Sequence, residues 1–171
     1  TTLFRSRDVE KIEYYNIDYA GNPIAASMTT YSYDYEDFDN GIHLVFREDQ
    51  TGEMRDSAID SLQVWNDETM EYEDSYIYCP DTVLVSTFTY SYDESKSALY
   101  MNMKYVYPYV YTRTFMVEVG DLKDDSFTYE NEYGVDYMEK AYMRRVKDGA
   151  KKSASRSMTS QPRKKGSMFA Y

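Results

Sequence analysis

The chain has 171 residues, 30 acidic against 19 basic side chains, a net charge of −11, and an aromatic content of 17% in which Tyr alone accounts for 21 residues. That length suits one domain with a sizeable core, and so many rings exclude a disordered chain. The single cysteine, Cys79, excludes an internal disulfide and a Cys-based zinc site, and no apolar run reaches the ~18 residues that a membrane-spanning helix needs.

Alternation of period two recurs from end to end, and helical periodicity is scarce. Val9 to Tyr15 reads as a strand, followed by a turn rich in breakers, Asp18 to Pro23. Thr29 to Tyr35 is a second strand, with Tyr31, Tyr33 and Tyr35 on one face, and Asp37 to Gly41 a second turn. Ile42, Leu44 and Phe46 then line one face of a third strand, and Glu48 to Gly52 closes a hairpin into Glu53 to Ser57. Residues 58–80 are ambiguous: "SAIDSLQVW" fits a short helix or a strand, and "NDETMEYED" reads as an acidic loop. Cys79-Pro80-Asp81 is a break, because Pro removes a ladder donor and restrains the residue before it. Strands follow at Thr82 to Tyr92, Ala98 to Tyr107, Tyr109 to Val119, Ser126 to Tyr133 and Tyr137 to Val146, separated by "DESKS", Pro108, "GDLKDD" and a short gap. "TYSYD" occurs at Thr30 to Asp34 and at Thr89 to Asp93, but the flanks do not match and no repeat is assigned. The expected fold is all-β, a mainly antiparallel up-and-down barrel or flattened sandwich of about eight to ten strands spanning residues 1–146.

After Val146 the pattern stops. Residues 147–171 form a basic, low-periodicity tail in which only Met168, Phe169 and Tyr171 restore apolar character. The tail carries Lys147, Lys151, Lys152, Arg156, Arg163, Lys164 and Lys165 against Asp148, a net +6, which leaves 12 basic and 29 acidic side chains, a net −17, in residues 1–146. So acidic a body repels nucleic acid. The tail can stay solvated or touch anionic lipid, nucleic acid or the acidic body. As an interaction element it would act through Lys151, Lys152, Arg156, Arg163, Lys164 and Lys165.

The stretch "FMVEVGDLKDDSFTYENEYG…AYMRRV" resembles the C-terminal half of bacterial lipocalin-like (calycin-type) barrel domains, especially those of Bacteroidales envelope lipoproteins. There a strand ends in a Leu-x-Asp-Asp turn, the next follows at once, and the last closes with an aromatic and a basic pair. The matching residues are Val117, Leu122, Asp124, Asp125, Phe127, Tyr129, Tyr142, Arg144, Arg145 and Val146. "HLVFREDQTGEM" (His43 to Met54) is similar to that family's strand, Asp-x-x-Gly, strand hairpin, and "EYYNIDYAGNPI" (Glu13 to Ile24) to its first strand and turn. The chain departs from the pattern in having Phe4 and Tyr14, and no Trp, in the first strand; its one Trp is Trp65. The resemblance implies an exported protein at a bacterial envelope or outside the cell, with the targeting signal and any lipidated Cys lying upstream of Thr1.

Residues suited to catalysis are few, and no enzyme activity is expected. His43 is flanked by Ile42 and Leu44 in a strand and reads as structural, while Cys79 has no neighbouring cation to depress its pKa. The seven glycines form no phosphate-binding run. In "DYEDFDNG", Asp34, Glu36, Asp37 and Asp39 bring four carboxylates into one loop, a weak calcium candidate against a solvated acidic turn. The Gly spacing does not fit an EF-hand, and no cofactor is expected.

The tyrosines admit three uses. Leu99, Met101, Met103, Tyr105 and Tyr107 share one parity and form a buried face, either as filled core or as the wall of a cavity. Tyr109, Tyr111, Phe115 and Val117 share a parity in the next strand. A third use is adhesion or assembly through outward tyrosines such as Tyr72, Tyr76, Tyr78 and Tyr100. Two functions follow. One is a non-catalytic binding module for a small apolar or glycan-like ligand, held by Met101, Met103, Tyr105, Tyr107, Tyr111, Phe115 and Tyr129; it requires an open lumen. The other is a structural or interaction protein whose Tyr-rich faces and basic tail join neighbouring subunits, as a homo-oligomer weakened by salt.

Overall fold

A computed structural model describes residue 4 and residues 6–32, 41–57, 62–75, 83–107, 109–133, 137–145 and 167–169. Alternating sequence becomes strand throughout: β1 (Ser6–Asn16), β2 (Thr29–Ser32), β3 (Ile42–Phe46), β4 (Thr51–Asp56), β5 (Leu62–Asn66), β6 (Glu71–Ser75), β7 (Leu84–Asp93), β8 (Ala98–Tyr105), β9 (Tyr111–Gly120), β10 (Ser126–Tyr133) and β11 (Tyr137–Arg144). Among the described residues, the helical segments are two single 3₁₀ turns, Ala25–Ser27 and Glu94–Lys96.

The main sheet runs β11-β10-β9-β8-β7-β4-β3-β1, and β11 pairs back onto β1. Eight antiparallel strands thus close into a barrel, as the alternation anticipates, and closure removes the sheet edges that an open sandwich would leave. The closing seam pairs Asp8–Asn16 with Arg144–Tyr137, with a bulge between Val9 and Lys11. On its outer face the Glu13 carboxylate accepts hydrogen bonds from Lys11 Nζ (2.8 Å), Tyr15 Oη (2.7 Å) and Tyr142 Oη (2.8 Å). Burial pushes that carboxyl up, but the three donors outweigh it and leave the group below its ordinary range.

The ninth strand, β2, pairs with Lys11–Tyr14 while β3 pairs with Ser6–Asp8, both on the edge of β1 opposite β11. The two therefore run in line, as one barrel strand in two pieces. Ser32 pairs with Lys11 and His43 with Asp8, so Val9 and Glu10 of β1 lie between the two pairings. Tyr33, Tyr35 and the carboxylate loop Asp34, Glu36, Asp37 and Asp39 fall within 33–40, outside the described residues.

The ambiguous stretch is a β5–β6 hairpin forming its own two-stranded sheet between β4 and β7. Glu71 to Asp74 are thus strand where an acidic loop was expected. The reversal is local: the Asn66 side chain accepts the N–H groups of Glu68 (2.8 Å) and Thr69 (3.4 Å), an Asx turn, and Met70 takes a positive φ of 56°.

Inward residues follow strand parity. Leu99, Met101, Met103 and Tyr105 of β8 are buried, and so are Phe115, Val117 and Val119 of β9 and Phe127 and Tyr129 of β10. At one end of the barrel Phe4 packs against Phe46, Phe127 and Tyr92, with ring centroids 5.2, 5.3 and 5.1 Å away, and Phe46 packs against Phe88 at 5.2 Å. That end is closed by aromatic rings. Arg7 is buried there as well, its guanidinium 5.8 Å from the Phe127 ring, and a second polar cluster lies at the other end.

Candidate functional site

Antiparallel order brings the end of β8, the start of β9, the end of β10, the start of β11 and the end of β1 to the same rim. On the inward parity there stand Tyr105, Arg113, Tyr129, Glu139 and Tyr14. Tyr105, Tyr129, Glu139 and Tyr14 are essentially inaccessible to solvent. A buried carboxylate is costly unless donors converge on it, so this cluster demands a partner.

The partner is the chain's own C-terminal segment. Ser167, Met168 and Phe169 are fully buried, in the space that the sequence assigned to filled core or ligand. Tyr105 Oη donates to the Met168 carbonyl at 2.7 Å, and Arg113 Nη1 to the Ser167 carbonyl at 3.4 Å. Tyr129 Oη donates to Glu139 Oε1 at 2.8 Å, and Ser167, Tyr14 and the Met168 N–H lie close enough to the carboxylate to favour its charged form. The Phe169 N–H donates to Ser167 Oγ at 3.1 Å, and the Phe169 ring lies 6.0 Å from the Tyr129 ring. Arg113 sits 4.9 Å above the Phe115 ring, and Tyr105 stacks on Tyr111 at 4.9 Å.

Burial raises the Glu139 carboxyl above its ordinary value of 4.5, against the lowering effect of those neighbours. Burial, then the Glu139 charge, pushes the Tyr129 phenol well above its usual range. Tyr105 is raised by burial against the opposing pull of Arg113. Both phenols therefore remain proton donors at neutral pH.

The Glu139 shift has a stability consequence. In the unfolded chain Glu139 loses its proton near 4.5, and in the folded barrel it does so at a higher pH. Between those values the folded state holds the extra proton, so the stability this confers is complete below 4.5 and is lost as pH rises through the folded value. Glu139→Gln, which stays neutral, should melt above the parent at pH 8, with the difference shrinking toward pH 4.5. A melting difference that does not change with pH would remove the buried charge as its cause.

Of the residues assigned to a ligand from sequence, Met101, Met103, Tyr105, Phe115 and Tyr129 are buried on the inner wall, and Tyr107 and Tyr111 are half-buried. Only Tyr105 and Tyr129 are shown touching the C-terminal segment. Tyr109, which precedes β9, is 65% exposed. Arg113, Glu139, Tyr14 and Ser167 were not anticipated. Glu139 was visible in principle, since it shares the parity of Ala141 and Met143. Lys151, Lys152, Arg156, Arg163, Lys164 and Lys165 lie outside the described residues.

A second concavity, about 370 Å³, lies over β7, β8, β9 and the β3–β4 turn, lined by Gln50, Thr89, Ser91, Tyr100 and Asn102 among others; it is wide open to solvent. Among the described residues, no three His, Cys, Asp or Glu side chains group as metal ligands, and no helix is long and apolar enough to cross a membrane. The chain matches no family model, no curated protein and no solved structure.

Proposed function

We propose that the protein is a non-catalytic binding module whose ligand site is the polar end of the barrel lumen. One observation carries this reading: a three-residue segment outside every strand is held there by side chains of β8, β9, β10 and β11. Tyr105 and Arg113 donate to its carbonyls. Barrels of eight strands have just enough interior for side chains or one small guest, and here a guest-like segment occupies the position. Tyr and Met lining suits such a site, because rings and thioethers adapt to an apolar surface while phenols orient polar groups. The resemblance to envelope lipoprotein barrels supports the companion proposal that it works at a bacterial envelope or outside the cell.

The test is probe uptake by the full chain. Phe169→Ala weakens the resident segment and should bind an apolar naphthalene-sulfonate fluorophore saturably, at least tenfold more tightly than the parent, while keeping the parent's far-ultraviolet ellipticity. Equal and negligible uptake by two folded proteins would overturn the reading.

A further inference from the structure

The side chains that hydrogen-bond the buried segment are matched to peptide chemistry. Tyr105 and Arg113 donate to two successive carbonyls, and the Glu139 carboxyl lies beside the N–H between them. A small apolar molecule would satisfy none of these groups and would leave a buried carboxylate facing hydrocarbon. Main-chain hydrogen bonds supply affinity for a peptide, and pockets for its side chains supply selectivity.

Selectivity is visible in the segment. The Ser167 hydroxyl accepts from the Phe169 N–H at 3.1 Å and so fixes the local turn beside the Glu139 carboxyl. Met168 and Phe169 are buried to 1% and 0% exposure, with the Phe169 ring beside Tyr129. An alanine in place of the serine loses the hydrogen bond that fixes the turn, and a polar residue in place of either apolar one meets a dry wall.

We propose that the lumen end is a peptide-recognition site selective for a Ser-Met-aromatic turn, and that Ser167–Phe169 fills it in cis as a resident competitor. This rests on the lumen being a binding site and replaces the small apolar ligand with a peptide. Residues 146–166 join the last described residue of the barrel to the segment. Twenty-one residues reach at most about 70 Å, roughly twice the diameter of a domain of this size. Because the segment belongs to the same chain, its docking is intramolecular, so a free peptide competes only once the resident contact is weakened.

The experiment uses the full-length chain and a fluorescein-labelled synthetic peptide, PRKKGSMFAY, copying residues 162–171. By fluorescence anisotropy, Phe169→Ala should bind it saturably at micromolar concentration, and the parent at least tenfold more weakly. Replacing Ser by Ala within the peptide, or Tyr105→Phe in the protein, should each weaken binding about fivefold to tenfold. If Phe169→Ala does not fold, the milder Met168→Ala is read in its place, alongside the parent at millimolar peptide. Saturable peptide binding with these losses supports the proposal. Fluorophore uptake without peptide binding overturns the peptide assignment and leaves the binding-module reading standing; the absence of both overturns both. Parent chains that dimerise on concentration, in a manner abolished by Phe169→Ala, overturn the cis assignment.

Discussion

Phe169→Ala in the full chain should lower the melting temperature by about 5–10 °C, and removing residues 167–171 altogether should lower it no further. Phe169 is wholly buried against Tyr129, and a buried Phe→Ala in a rigid core costs about 3–5 kcal/mol. This ring, however, sits on a segment that can leave. Burying Met168 and Phe169 contributes about 3–6 kcal/mol, and the three hydrogen bonds donated by Tyr105, Arg113 and the Phe169 N–H about 1 kcal/mol each. Ordering three residues and their side chains costs about 4–7 kcal/mol. Docking is thus worth only about 2–3 kcal/mol, less than a cavity would cost, so the weakened segment undocks instead of leaving a void. At roughly 2–4 °C per kcal/mol for a chain of this size, that gives the stated shift. The distinguishing measurement is additivity: Met168→Ala with Phe169→Ala should match Phe169→Ala alone. A double variant that melts much lower than either single one would show that the segment stays docked and the site is ordinary core.

Gly52→Ala should destabilise the barrel by about 3 kcal/mol or more, against the roughly 0.5–1 kcal/mol that replacing a strand glycine by alanine would otherwise gain. Gly52 lies on the inward parity of β4, paired with Phe46 on β3 and Phe88 on β7. A Cβ there would run into the Phe88 ring and lie 2.5 Å from the Val45 carbonyl oxygen. The ring can rotate away only by giving up its edge-on contact with Phe46 at 5.2 Å. The carbonyl cannot move without disturbing the β3–β4 ladder. The missing side chain is what lets two phenylalanines cover the strand from either side. Chemical denaturation of Gly52→Ala checks the loss, and adding Phe88→Leu should recover part of it by relieving the ring. If Phe88→Leu recovers nothing, the clash with the ring is not the cause.

Much of the wall was legible in the sequence because side-chain direction in a strand is set by the backbone every second residue. Leu99, Met101, Met103 and Tyr105 fall inward for that reason alone, and so do Ile42, Leu44 and Phe46. The Ser126–Tyr133 strand coincides with its expectation because the breakers on either side are unambiguous. The Asn66 turn was harder to see. Its signal is one side chain capturing two amides, and acidic residues on both sides of it look like loop.

Other features depend on pairings between residues far apart in the chain. That β2 and β3 share one edge of β1 follows from which strands meet, and local pattern holds no information on that. Glu139 is a charged residue on an inward parity, which composition reads as an exception until a donor set surrounds it. The same holds for the C-terminal apolar residues. Met168, Phe169 and Tyr171 stand out after a basic run, yet nothing in their own spacing says whether they meet solvent, a neighbour or a lumen.

Alternation and turn chemistry thus settle the class of the protein, its strand directions and the character of its inner wall, because those depend on interactions between near neighbours in the chain. The tertiary structure decides what the wall encloses. Closing eight strands brings Tyr105, Arg113, Tyr129 and Glu139 to one rim from four different strands, where Tyr129 donates to Glu139 and Tyr105 and Arg113 donate to carbonyls of a segment from the far end of the chain.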